Sequence, residues 1–137
     1  MATLSEDRDW PAPVRYPDNA EFWAATARGE LLLRHCEDCG RPHWYPRSQC
    51  PLCMSQRTTW KASLGEGEIY TFSVGRRVGP QPFAIAYVRL DEGVTMMTNI
   101  VDCDLDAIRI GQRVRLVMKT AMDGSRLPMF TPVTAPA

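Results

Sequence analysis

Apolar and polar residues alternate through most of the second half of the chain. The clearest case is residues 113–119. Val114, Leu116 and Met118 point one way, and Arg113, Arg115 and Lys119 the other. That period of two belongs to a strand with one face buried. Residues 67–74, 83–90, 94–101 and 127–131 are rich in β-branched and aromatic residues and read as four more strands. Asp91-Glu92-Gly93 makes a tight turn between the second and third of these strands, and Met122-Asp123-Gly124-Ser125 makes another before the last. Five short strands without a long helix suit a small closed barrel of the OB type, with a small sandwich as the alternative.

The first half follows a different rule. Pro11, Pro13 and Pro17 keep residues 10–17 extended. A helix then follows, with Asp18 as N-cap, Glu21 at the third helical position and Gly29 as the stop. A helix of about ten residues is marginal alone, so it must dock. Phe22 and Trp23 are its bulky anchors, facing either the chain's own core or a partner protein. Residues 31–35 read as a short strand leading into a cysteine-rich segment. The chain thus divides into an N-terminal extension with a docking helix (1–30), a metal ribbon (31–57) and a barrel (58–137).

Four of the five cysteines form two pairs, Cys36-Glu-Asp-Cys39 and Cys50-Pro-Leu-Cys53, with ten residues between them. Two residues between thiolates let both sulfurs turn toward one ion. Two such knuckles supply the four soft ligands that tetrahedral zinc prefers. Iron fits similar knuckles, but nothing else in the chain suggests electron transfer. Four protein ligands fill the coordination shell, so the zinc is expected to be structural and not to activate water. His35 and His43 read as surface or ribbon-packing residues. Cys103 stands alone and reads as a small hydrophobe.

Composition narrows the partners. Sixteen basic residues balance sixteen acidic ones, which argues against a general nucleic-acid binder. No uncharged stretch exceeds eleven residues, against about twenty for a membrane helix. The acidic, polar start MATLSEDRDW is unlike a secretory signal, and the cytoplasm is the expected compartment. The chain has no phosphate-binding P-loop, no G-x-S-x-G elbow and no H-E-x-x-H pair. Asp102, Asp104 and Asp106 begin like a calcium loop, but Ala107 and Arg113 stand where Gly and Glu are required.

The order of these parts resembles the "domain of unknown function 35" family, which joins an N-terminal helix, a rubredoxin-like zinc ribbon and a five-stranded OB-fold barrel. The matching residues are Phe22-Trp23, Gly29 and Leu31-Leu32-Leu33, then Cys36-x-x-Cys39-Gly40 and Tyr45-Pro46-Arg47 ahead of Cys50-Pro51-x-Cys53. In the barrel they are Gly65-x-Gly67-x-Ile69-Tyr70-x-Phe72-x-Val74, Ala86-x-Val88-x-Leu90-Asp91-Glu92-Gly93 and Thr98-Asn99-Ile100-Val101. Ile110-Gly111-x-x-Val114 and Leu127-Pro128-x-Phe130 complete the set.

The resemblance implies a non-catalytic accessory subunit of a thiolase-like enzyme, either a thiolase or an aldolase that cleaves steroid side-chain CoA thioesters. It would stabilise the catalytic subunit, form a heterotetramer with it and help shape the acyl-CoA site. Arg76 and Arg77 are then the candidate CoA contacts, with two solvated loop arginines as the alternative. Phe22 and Trp23 are the candidates for docking on the thiolase-like subunit. A single-stranded nucleic-acid-binding ribbon and barrel is the competing reading, and balanced charge speaks against it.

Overall fold

The computed structural model describes residues 3–5, 8–77, 79 and 81–133. Pro11 and Pro13 lie in the extended stretch of the N-terminal arm, whose described residues meet the barrel at two points, while Pro17 opens a turn. The arm makes isolated bridges at Leu4–Asp104 and Trp10–Ala121. Trp10 is buried there against Val101, Ala121 and Met129 in a small core of its own.

The arm ends in a 3₁₀ turn, Pro17–Asn19, that feeds α1, Ala20–Thr26. The N-cap is Asn19, one residue later than the Asp18 of the sequence reading, and no side-chain capping bond forms. Pro17 opens the 3₁₀ turn, which takes Asp18 inside it, and the Asn19 side chain is committed elsewhere. Asn19 is buried, its Oδ1 accepts the Tyr16 N–H at 2.7 Å, and its Nδ2 donates to Tyr45 Oη at 2.7 Å. The other end is as the sequence implies. Gly29 takes φ +83°, and the N–H groups of Gly29 and Glu30 donate to Thr26 and Ala25 carbonyls, a Schellman closure.

The strands are β1 Leu32–Cys36, β2 Pro42–His43, β3 Thr58–Ala62, β4 Glu66–Gly75, β5 Phe83–Leu90, β6 Thr95–Ile100, β7 Arg113–Thr120 and β8 Arg126–Pro132. The last five match the expected barrel strands to within one residue at each end. They close in the order β4-β5-β6-β8-β7, with one parallel contact, β6 to β8. The barrel reading stands and the sandwich does not. The sequence reading missed β3, which pairs antiparallel with β1 and completes a three-stranded sheet, β2-β1-β3. Its Thr-Thr-Trp-Lys-Ala carries no clean alternation, because the burial along it is weak.

One core joins the three parts. Phe22 of α1 with Leu31 and Leu33 of the ribbon packs against Ile69, Val88 and Phe130 of the barrel. Trp44 and Trp60 lean on the same cluster from the ribbon side. The ribbon is therefore seated on the barrel by buried apolar area, the strongest non-directional term available.

Gly67 is where β4 must serve two neighbours. It pairs with Leu90 on β5 and with Val114 on β7. A Cβ there would lie 2.3 Å from the Arg89 carbonyl oxygen and 3.0 Å from Leu90 Cα. Gly67→Ala should therefore force the β4–β5 backbones apart. The expected loss of stability is about 1–3 kcal/mol, read as a lower urea midpoint. An unchanged midpoint would contradict this account of the closure.

Candidate metal centre

The four paired cysteines converge. Their sulfurs lie within 4.8 Å of one another. Cys36 Sγ is 3.5 Å from Cys53 Sγ, and Cys39 Sγ is 3.8 Å from Cys50 Sγ. A regular tetrahedron of sulfurs around zinc has edges of about 3.8 Å, given Zn–S bonds near 2.3 Å. The donor set therefore fits a closed four-thiolate site.

Local backbone chemistry explains the convergence. In the first knuckle the Cys39 N–H donates to Cys36 Sγ at 3.4 Å, and the Gly40 N–H donates to the Cys36 carbonyl at 3.0 Å. In the second knuckle the Leu52 N–H, two residues on, donates to Cys50 Sγ at 3.4 Å, and the Met54 N–H donates to the Cys50 carbonyl at 2.8 Å. Each turn ends in a left-handed residue, Gly40 at φ +73° and Met54 at φ +68°. The sequence marks the first such position by its glycine. The second, a methionine, is invisible without the fold. Cross-links hold the knuckles together: Asp38 accepts from Ser55 and from Arg57, and the Glu37 carboxylate accepts from Thr59.

The Arg41 amide N–H, helped by the Arg41 side chain and the neighbouring thiols, pulls Cys39 down to about 6 against the effect of burial. At Cys53 the Ser55 amide pulls downward, yet the Cys36, Cys50 and Cys39 sulfurs together with burial push the thiol up to about 12. The crowded sulfurs thus oppose loss of the Cys53 proton, and a divalent ion bound by thiolates displaces the protons it replaces.

Neither histidine belongs to this set. His43 is buried, its ring Nε2 meets the Arg47 carbonyl at 3.3 Å, and its Nδ1 has no partner among the described residues. Burial pushes its pKa down, so the ring packs as a neutral imidazole. His35 sits half-buried on β1, in the ribbon sheet. Cys103 is half-buried, and burial, with Asp104 and Asp102 adding, raises its thiol to about 11, the reverse of an activated nucleophile.

The other candidate residues are dispersed. Phe22 is only 1% exposed, so its ring is committed to the chain's own core and is not a surface anchor. Trp23, beside it, is half-buried, and its indole N–H is buried without a partner among the described residues. Arg76 is held by Asp106, with its Nη2 2.5 Å from the carboxylate Oδ1. Thr3 and Arg76 together keep the Asp106 carboxyl below the usual range. Arg77 is exposed. The aspartates of the failed calcium pattern fasten the arm and the barrel instead. Asp104 accepts the Thr3 N–H at 3.0 Å, and Asp102 pairs with Lys119 at 2.7 Å.

Two outcomes follow from this geometry. Protein grown in zinc should carry one zinc per chain by elemental analysis, and Cys36→Ser or Cys50→Ser should lose it. Because binding releases protons, apparent zinc affinity should fall at least about tenfold per pH unit on acidification. That slope is measurable by competition with a chromogenic chelator. A pH-independent affinity would mean that the thiols are not the ligands.

Comparison with known proteins finds a zinc ribbon followed by an OB fold. Residues 23–59 match the model described as "ChsH2, rubredoxin-like zinc ribbon domain", and residues 60–119 match "ChsH2, C-terminal OB-fold domain". A "DUF35 domain-containing scaffold protein" of Methanocaldococcus jannaschii is 33% identical over 96 residues, 65% of this chain and 67% of that protein. A "Probable enoyl-CoA hydratase alpha subunit" of Thermomonospora curvata is 30% identical over 126 residues. That match covers 89% of this chain but only 40% of that protein. Among solved structures, a chain of the "Ltp2-ChsH2(DUF35) aldolase" superposes with a TM-score of 0.78 at 30% identity, covering 88% of this chain and 98% of that one. A DUF35 protein of unknown function from Sulfolobus solfataricus shares the fold at 13% identity with a TM-score of 0.65. With its ribbon and barrel matched separately and in the same order, this chain belongs to the DUF35 family, in the ChsH2-like arrangement of a rubredoxin-like zinc ribbon followed by an OB fold.

Proposed function

We propose that this protein is a non-catalytic accessory subunit of an acyl-CoA enzyme, and that its partner is a thiolase-like subunit acting as a thiolase or as an aldolase on acyl-CoA thioesters. The observation that carries this reading is the likeness to one chain of the Ltp2-ChsH2(DUF35) aldolase, at 30% identity over 98% of that chain. A relative named as an enoyl-CoA hydratase subunit points toward CoA thioesters as well.

The chemistry of the chain agrees. Zinc held by four thiolates has no open position for water or substrate, so its role is to hold the ribbon together. The partner's chemistry then depends on surfaces of this chain. Arg77, exposed on the loop after β4, is the better placed of the two arginines to meet a CoA phosphate. Arg76 would have to give up Asp106 to join it. Trp23 is the aromatic of α1 left for contact with the thiolase-like subunit. A heterotetramer, two of each chain, is the assembly expected, acting in the cytoplasm. Among the described residues no helix is long and apolar enough to cross a membrane.

The test is co-expression with a thiolase-like protein encoded beside this one. The two should elute together at the mass of a heterotetramer, and thioester cleavage or formation should need both chains. Turnover by this chain alone, or full activity of the thiolase-like chain without it, would remove the accessory role.

A further inference from the structure

The outward faces of β5 and β6 carry the wrong chemistry for solvent. Burial alternates along both strands, which turns Ile85, Tyr87, Arg89, Thr95, Met97 and Asn99 away from the barrel interior. The solvated face of an antiparallel sheet is ordinarily polar. Here Ile85 is 42%, Tyr87 45% and Met97 60% exposed. The register sets Tyr87 directly opposite Met97, so the apolar groups are contiguous across the strands. Tyr70, at an irregularity in β4 beside them, is also exposed, and the Arg89 guanidinium lies 4.6 Å from its ring centroid.

The patch continues into a groove. Met97 also lines a cavity of about 330 Å³ whose other walls include Trp23, Trp44, Tyr45 and Leu127. Thus α1, the ribbon and the barrel all contribute to one apolar depression at the edge of the exposed sheet face.

Charge decides the kind of occupant. The six outward positions hold no acidic residue and no lysine, in a chain with sixteen acidic residues. Protein interface cores are enriched in Tyr, Trp, Met and Arg and depleted in Lys, Glu and Asp. A pocket beside such a patch suits one anchoring side chain. A nucleic-acid strand would need a basic groove, and this face offers a single arginine. We propose that the outer face of β5 and β6, with the adjoining groove walled by Trp23 and Tyr45, is the surface on which the partner enzyme subunit docks. The partner presents an apolar face, seats one bulky side chain in the groove and sets a hydrogen-bond acceptor against Arg89. This rests on the accessory-subunit reading and adds the location of the contact.

The experiment is calorimetric titration of the full-length, zinc-loaded chain into the thiolase-like subunit encoded beside it. Met97→Asp and Tyr87→Asp are compared with Ile110→Asp and Met122→Asp, two exposed apolar positions outside the patch. Zinc content and thermal midpoint report whether each variant folds, and Arg89→Ala serves as a milder third probe of the patch. Each patch variant with an unchanged midpoint should bind about 30-fold or more weakly, while the two controls stay within about threefold of the parent. Parent-like binding by the patch variants would overturn the location and leave the accessory role standing. Failure of the parent chain itself to bind would remove both. Self-association through this face, or a salt-dependent oligonucleotide complex abolished by Tyr87→Asp, would also overturn the proposal by naming a different occupant.

Discussion

Convergence of four sulfurs on one point is the constraint on which the ribbon depends. The segment between β1 and β3 contains a two-residue strand and two knuckles, too little buried area to hold itself. Sulfurs spaced for one tetrahedral ion replace that missing core with a point of strong attraction. Everything around them serves the spacing: amide N–H groups aimed at Cys36 and Cys50, left-handed residues at Gly40 and Met54, and the Asp38 carboxylate bracing one knuckle to Ser55 and Arg57 just beyond the other.

The ribbon in turn fixes α1. Phe22, Leu31 and Leu33 enter the same apolar cluster as the barrel residues, and Asn19 ties the start of the helix to Tyr45 between the knuckles. A helix of seven residues would not persist alone. Here its position is set from below by the barrel and from the side by the ribbon. The Trp23–Tyr45 groove exists only because these three parts meet.

Four thiolates make a complete tetrahedral donor set, the lone cysteine is a poor nucleophile, and the two histidines lie in the ribbon sheet. The uncommon chemistry lies on the exposed face of β5 and β6, where Tyr, Met and Ile replace the polar residues expected beside water. An accessory subunit needs such a face more than it needs an active site, because its effect is exerted through the chain it touches.

The sequence by itself determined which four cysteines come together as a possible metal tetrad, the five barrel strands and the glycine end of α1. Each of these is a local matter: two-residue spacing between thiolates, a period of two, a backbone angle only glycine adopts at low cost. The tertiary structure alone decided the rest. It brought Tyr45 back to meet the Asn19 amide at the start of α1, where Asn19 and not Asp18 is the N-cap. It recruited Thr58–Ala62 into the ribbon sheet, where pairing with β1 outweighs weak strand patterning. It buried Phe22, left Trp23 at the rim, and engaged Arg76 with an aspartate thirty positions away. The physical reason is the same in each case: these outcomes depend on groups distant in sequence arriving at one place, and periodicity carries no record of who arrives.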